Sequence, residues 1–342
     1  MTKLLVFAFV VGCGTSSGSG DDGPDGPDEV WTWYDVPGMV CGDGSQTGIA
    51  INPSSRSKKL VLAFEGGGAC WEAAACYGIL IPKTASHLDG FTAQTFTSQA
   101  QPYFDNHWAF QRDGASLFND ATWVFVPYCT GDMHAGTTTK VYEAAGQMAT
   151  MHHMGGRNVD AMLARIKSLA PSEVFTIGVS AGGFGAQLNW DRIAATWPGV
   201  TTHLFADGAQ LVPIESGRWG AMKQAWAMRF PEGCTDCATG MDKLAAHWHA
   251  AHASPGSRYA LTNSLQDGVL SLFFGYDANG MKTVSLAAGQ AFTAAGEAAF
   301  MIDNDTHTML NLPDTKTSTN VVLRGWVEAW ARGEAAFTTV GP

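Results

Sequence analysis

The amino-acid sequence predicts an α/β protein: one mostly parallel sheet flanked by helices on both faces. Two observations carry that expectation. Short continuous apolar runs of four or five residues recur along the chain, each stopped by glycine, proline or polar residues. Such runs suit strands covered on both sides, where hydrophobic alternation disappears. Segments with apolar residues at helical spacing lie between them, and no internal repeat interrupts the alternation. With 46% hydrophobic residues over 342 positions, the chain can bury a large core.

The N-terminus reads as an address. Lys3 precedes an apolar run at 4–11 and then Gly12-Cys13, the parts of a secretory signal. The run is too short to span a bilayer. Val10-Val11-Gly12-Cys13 also resembles a bacterial lipobox, which makes Cys13 the expected lipidated first residue of the mature chain. Residues 14–29 are Gly, Ser, Asp, Pro and Thr with Glu29 and no large apolar side chain, so a flexible tether is expected there. A single domain should then occupy 30–342. An exported protein follows, lipid-anchored at a cell surface or in the periplasm, or else secreted. Membrane contact would come only through the anchor.

Within the domain, residues 60–64 form the first buried run, ending at Glu65-Gly66-Gly67-Gly68. The run at 122–126 ends at Pro127-Tyr128-Cys129. Residues 158–169 place Val159, Met162, Leu163, Ile166 and Leu169 on one side of a helix. A strand at 174–177 precedes a helix at 184–195. Further short strands are expected at 203–206, 258–261 and 298–302. A last helix at 321–331 would bury Val322, Trp326, Val327 and Trp330. Folds of this type bind ligands at the carboxyl ends of their strands.

Charge and cysteines narrow the setting. The net charge is −11 and no Lys/Arg run appears, which excludes nucleic acid as a partner. The 12 tryptophans hint faintly at carbohydrate, because indole stacks on sugar faces, although tryptophan is equally a core residue. Setting Cys13 aside leaves six cysteines, an even number in an exported chain, which reads as three disulfides. The near pairs Cys70–Cys76 and Cys234–Cys237 would leave Cys41–Cys129 as the long link, among fifteen formal pairings. The C-x-x-C at 234–237 lacks the setting of a redox or zinc site.

Chemistry concentrates at residues 178–182, Gly-Val-Ser-Ala-Gly, directly after the run Val174-Phe175-Thr176-Ile177. A serine on such a tight strand-to-helix turn presents its hydroxyl to both a base and a substrate. The small neighbours are required because the turn is strained. Ser180 is therefore the candidate nucleophile. In α/β-hydrolases the acid and then the histidine follow the serine in the chain. His307, just past the run ending at Ile302, is the favoured base. Asp267 after 258–261 and Asp207 after 203–206 are both candidate acids, with Asp267 preferred and Asp207 kept open. His247, His249 and His252 have the wrong spacing to share one helix face as metal ligands. His152-His153 reads as a solvated face. The developing oxyanion needs donors, expected from the Ala181 N–H and from the glycine run 66–68.

Together these segments resemble the pectin acetylesterase/Notum family. Phe64-Glu65-Gly66-Gly67-Gly68-Ala69-Cys70 is similar to its "EGG…C" segment. Pro127-Tyr128-Cys129-Thr130-Gly131-Asp132 is similar to its "YC" segment, and Gly178-Val179-Ser180-Ala181-Gly182-Gly183 to its nucleophile turn. The resemblance spans about residues 30–335 and implies a metal-independent serine carboxylesterase of α/β-hydrolase type, with no cofactor. It implies Ser180, Asp267 and His307 as the triad and Gly67, Gly68 and Ala181 as oxyanion donors. Asp207 becomes a structural aspartate near the site. The chain departs from the animal Notum branch at 68–69, where Gly-Ala replaces an aromatic pair. It departs again at 132–134, Asp-Met-His; both places border the expected substrate pocket. Family members remove acetyl groups from pectin or a fatty acyl group from a signalling protein. The expected substrate here is an acetylated polysaccharide or a small ester, with lipid or polyester esters as the alternative. A non-catalytic surface binding protein on the same fold is the rival of another class.

Overall fold

The structure is a computed structural model and describes residues 26–342 apart from 80, 115 and 145. Cys13, the leader and most of the expected tether lie outside the described residues. Residues 26–29 of that tether are bound to the domain. The Ser55 N–H and Oγ–H donate to the Asp28 carboxylate at 2.8 Å each, and the Glu29 N–H donates to the Pro53 carbonyl at 2.7 Å.

Ten strands are present among the described residues: β1 (Thr32–Val40), β2 (Gln46–Asn52), β3 (Lys59–Phe64), β4 (Thr122–Val126), β5 (Thr138–Ala144), β6 (Gln147–His153), β7 (Glu173–Val179), β8 (Thr201–Asp207), β9 (Tyr259–Ser264) and β10 (Ala298–Ile302). Eight form one sheet in the order β1-β2-β4-β3-β7-β8-β9-β10. β4 through β10 in that order run parallel, while β1 and β2 add an antiparallel edge. β5 and β6 make a separate hairpin. The expected α/β architecture is thus present: five of the six expected strands fall inside observed ones, and the one expected at 258–261 begins one residue before β9.

Burial on both faces explains the continuous runs. In β3, Leu60, Leu62 and Phe64 enter one core while Val61 and Ala63 enter the other. The first core lies under helices Gly155–Ile166, Ala181–Leu188 and Met241–Ala250; the second lies under the segment 93–106 and helix Leu323–Arg332. Six tryptophans (Trp123, Trp190, Trp226, Trp248, Trp326 and Trp330) are among the largest fully buried side chains, so tryptophan here fills the core.

Helix boundaries shift for local reasons. The helix expected at 158–169 starts three residues earlier, because Asp132 accepts the Gly155 N–H at 2.7 Å and supplies the cap. It ends at Ile166 and closes in a 3-10 turn, Lys167–Leu169. The single helix expected at 184–195 is two, Ala181–Leu188 and Trp190–Thr196. The break is at Asn189, whose Nδ2 donates to the Gly185 and His134 carbonyls at 2.9 and 3.0 Å. The three disulfides are Cys41–Cys129, Cys70–Cys76 and Cys234–Cys237.

Candidate active site

Ser180 stands between the end of β7 and helix Ala181–Leu188 with φ 56° and ψ −126°, a strained conformation for a residue with a side chain. The strain is held from several sides. The Ser180 N–H donates to the Asp207 carbonyl at 2.8 Å. A Cβ on Gly178 would lie 2.2 Å from the Gly182 carbonyl oxygen, and one on Gly182 would lie 2.1 Å from that of Phe64. Backbone cannot yield at such distances, so the turn tolerates only glycine at both places.

His307 sits in the loop after β10, as expected. Its Nε2 lies 2.7 Å from Ser180 Oγ, and its Nδ1 lies 2.8 and 3.0 Å from the two Asp267 oxygens. Asp267 is wholly buried and also caps helix Gly268–Phe274: Oδ1 accepts the Val269 and Leu270 N–H groups at 3.0 and 2.9 Å. A carboxylate fixed in this way holds Nδ1–H toward itself and leaves the Nε2 lone pair for the serine.

The other acid candidate does different work. The Asp207 carboxylate accepts the Met309 and Leu310 N–H groups, at 2.9 Å on Oδ1 and 2.8 Å on Oδ2, and the Thr262 hydroxyl at 2.6 Å. It pins the loop that carries His307 and makes no bond to the imidazole. Burial pushes its pKa up, opposed by those hydrogen bonds.

The glycine run after β3 lies across the serine. A Cβ on Gly66 would come within 3.0 Å of Ser180 Cβ. The carbonyls of 67–69 are all occupied. Gly67 accepts from the Ser86 N–H at 2.8 Å, Gly68 from the Tyr128 hydroxyl at 2.8 Å, and Ala69 from the Thr84 hydroxyl at 2.6 Å. The N–H groups of Gly67, Gly68 and Ala181 donate to no protein acceptor among the described residues. Gly68 has φ 75°, and a Cβ there would meet the Thr84 oxygen at 2.0 Å. Any larger side chain at 68 would need a different path for 84–86.

Ser180 and His307 open into a cavity of about 570 Å³. Its wall is mostly apolar, with Tyr103, Phe104, Phe110, Phe125, Ile177 and Leu310. The segment 93–106 and residue 110 supply much of this wall, which sequence reasoning left unassigned. The only signal available was their aromatic content. Among the described residues no tryptophan lines the cavity.

Several histidines prove structural. His134 is buried, donates from Nε2 to the Glu65 carbonyl at 2.9 Å, and is held by desolvation at a pKa of about 4. With Asp132 it supports the turn from behind; of residues 132–134 only Met133 borders a small void beside Ser180, and none lines the large cavity. His153, expected on a solvated face, is fully buried between the Tyr142 hydroxyl and the Thr130 carbonyl, because the hairpin folds it inward. His249 and His252 clamp the Glu297 carboxylate at 2.7 Å each. Among the described residues the one grouping with metal-ligand spacing is Cys70, Cys76 and His153, and its two sulfurs are joined in a disulfide.

A model of the family described as Pectinacetylesterase matches residues 33–214, more than half of the chain. The protein belongs to the pectinacetylesterase family. That match includes Ser180 and the glycine run but ends before Asp267 and His307, so the family and the geometry contribute separate halves of the site. Among similar proteins, the palmitoleoyl-protein carboxylesterase NOTUM of Drosophila melanogaster is 25% identical over 216 residues, covering 58% of this chain and 31% of that protein. The mouse protein of the same name is 29% identical over 164 residues, covering 46% and 29%. The chain thus spans about a third of the length of these curated relatives. The solved structure of the Wnt deacylase Notum from Drosophila superposes with a TM-score of 0.62 at 16% identity, covering 90% of this chain and 97% of that one. This pectinacetylesterase-family member therefore shares the Notum-like α/β-hydrolase fold.

Proposed function

We propose that the protein is a serine carboxylesterase that works through an acyl-serine. Ser180 attacks the ester carbonyl and His307 takes its proton. The ester C–O bond then breaks as His307 gives that proton to the departing alcohol. His307 next activates water to release the acid from the serine, and Asp267 orients His307 throughout. The N–H groups of Gly67, Gly68 and Ala181 receive the oxyanion. The observation that carries this reading is the continuous hydrogen-bonded chain from Ser180 through His307 to Asp267 at the mouth of the cavity. Export is part of the proposal, supported by the three disulfides.

For the substrate, the cavity favours an ester with an apolar acyl chain. A volume of about 570 Å³ equals about nineteen water molecules at ~30 Å³ each, so an acetyl group would fill one corner. Each buried methylene contributes about 0.8 kcal/mol, so kcat/KM on p-nitrophenyl esters should rise about fourfold per methylene until the cavity is full. The second reading, deacetylation of a polysaccharide, is favoured by the family match. Acetate release from acetylated pectin or xylan, with nitrophenyl acetate as good as longer esters, would select it. One zebrafish relative is named as an inactive carboxylesterase, so a non-catalytic binder is the remaining rival. Failure of a fluorophosphonate probe to label Ser180 in folded protein would favour that rival.

A further inference from the structure

Glu65 is the first residue after β3; it is one of the residues that line the Ser180 cavity, and its side chain is 22% exposed. Its two carboxyl oxygens have different surroundings. Oε2 accepts the Tyr128 N–H at 2.8 Å. Oε1 has no hydrogen-bond partner among the described residues; His87 Nε2 stands 3.9 Å away. Among the described residues no lysine or arginine lines the cavity to neutralise a carboxylate. The titratable neighbours are of the same mind. Desolvation holds His87 below its ordinary pKa and His134, which donates to the Glu65 carbonyl, at about 4. Tyr128 is buried and held well above its ordinary value by desolvation and by Asp132. Tyr103 lies in the cavity wall, and His307 is engaged with Ser180 and Asp267.

We propose that Glu65 is a substrate-binding acid of this cavity, donating a hydrogen bond from Oε1–H to an oxygen of the bound ester. The inference deepens the esterase reading and rests on it. A protonated carboxyl has one O–H, and its carbonyl oxygen is the better acceptor for the Tyr128 N–H on Oε2, so the proton sits on Oε1. Burial, opposed only in part by the Tyr128 N–H, pushes the Glu65 pKa up to about 8. The acid is neutral below that pH and ionises above it. Ionisation removes the donor and places a negative charge next to the glycine amides that meet the oxyanion. A preferred substrate therefore carries an acceptor oxygen near its ester, as a hydroxy, ether or carbonyl oxygen does.

The test uses p-nitrophenyl butyrate and an ethoxy-substituted analogue, with wild type, Glu65→Gln and Glu65→Ala. In Glu65→Gln the amide oxygen takes the Tyr128 N–H and the amide N–H₂ replaces Oε1–H at every pH. Wild-type kcat/KM should fall as pH rises through about 8, and the Gln variant should keep its activity there. Glu65→Ala should lose about 3–10-fold in kcat/KM at neutral pH, more on the ethoxy ester, mainly through KM. A flat wild-type profile from about pH 7 to about pH 9.5 overturns the proposal without any variant. So does a Gln variant with an unchanged alkaline fall. Fluorophosphonate labelling of wild type separates the two failures: no labelling sinks the esterase reading, whereas labelling with a flat profile sinks only the role of Glu65.

Discussion

Asp267→Asn tests the site with little disturbance of the fold. Asparagine keeps one oxygen, and the Val269 and Leu270 N–H groups that cap helix Gly268–Phe274 can still use it. The amide N–H₂ then faces His307 Nδ1, which lies 2.8 Å from Oδ2 in the wild type. Two donors cannot share that line, so the imidazole moves its proton to Nε2. Nε2 is the atom 2.7 Å from Ser180 Oγ, and once protonated it no longer accepts the serine proton. The imidazolium of the transition state also loses its buried counter-charge. The same exchange of a triad aspartate lowers kcat about 10⁴-fold in serine hydrolysis, which at 1.36 kcal/mol per decade is about 5.4 kcal/mol. The assay is turnover of p-nitrophenyl butyrate per active site, counted by fluorophosphonate labelling, with thermal unfolding alongside. Because the cap survives, the melting temperature should stay within about 4 °C of wild type. A folded variant that loses less than about tenfold in kcat would refute the assignment of Asp267 as the orienting acid.

The remaining predictions address the frame around the site. Asp207→Asn should cost about 2–5 kcal/mol of stability, because an amide N–H₂ would oppose the Met309 or Leu310 N–H; urea unfolding measures it, and an unchanged midpoint would contradict the anchoring role. Gly68→Ala should abolish turnover or folding, since its Cβ would lie 2.0 Å from the Thr84 oxygen at φ 75°; a crystal structure with an unmoved loop would refute this. Replacing Cys41 and Cys129 by serine opens a link spanning 88 residues and should cost about 4–5 kcal/mol in chain entropy, read from guanidinium melts. Acid should destabilise the fold through His107, His134 and His153, each buried and held at a pKa of about 4. They fold neutral and must charge on unfolding, so their contribution is whole above about pH 6.5 and is lost as pH falls toward 4. At 1.36 kcal/mol per unit each is worth about 3 kcal/mol, and a urea midpoint that does not fall over that window would contradict the burial.

What was legible in the sequence was whatever local sterics impose. The parallel strands are covered on both faces, so their runs are continuous and easy to read. The serine turn is legible because only glycine fits at 178 and 182. β1 and β2 were not anticipated. β1 mixes exposed and buried residues with Pro37 and Gly38, and its register shifts between Asp35 and Val40, which removes a clean period. The hairpin β5–β6 carries Thr, Lys and His on its strands and was equally hidden, which is why His153 looked solvated. The cavity wall was unreadable because 93–106 and 308–311 meet only through the tertiary fold. Tyr103 reaches Asn311 Oδ1 at 2.7 Å across 208 residues of chain.

The choice between Asp207 and Asp267 shows why chain order has a limit. Each aspartate follows a parallel strand, and each is completely buried. They differ in what their carboxylates meet. Asp267 meets an imidazole nitrogen and two amides of the helix it caps. Asp207 meets two amides of the loop that carries that imidazole, while its carbonyl holds the Ser180 N–H. Asp207 thereby ties the nucleophile turn and the base loop to one point on β8. Thr262 on β9 adds a third tie at 2.6 Å. Catalysis depends on the serine–imidazole separation to within a fraction of an ångström. A residue bonded to both the serine turn and the histidine loop controls that separation without touching the reaction. Loss of Asp207 should therefore scatter the His307 position and lower kcat with an unchanged pH profile, whereas loss of Asp267 changes which nitrogen of His307 carries the proton.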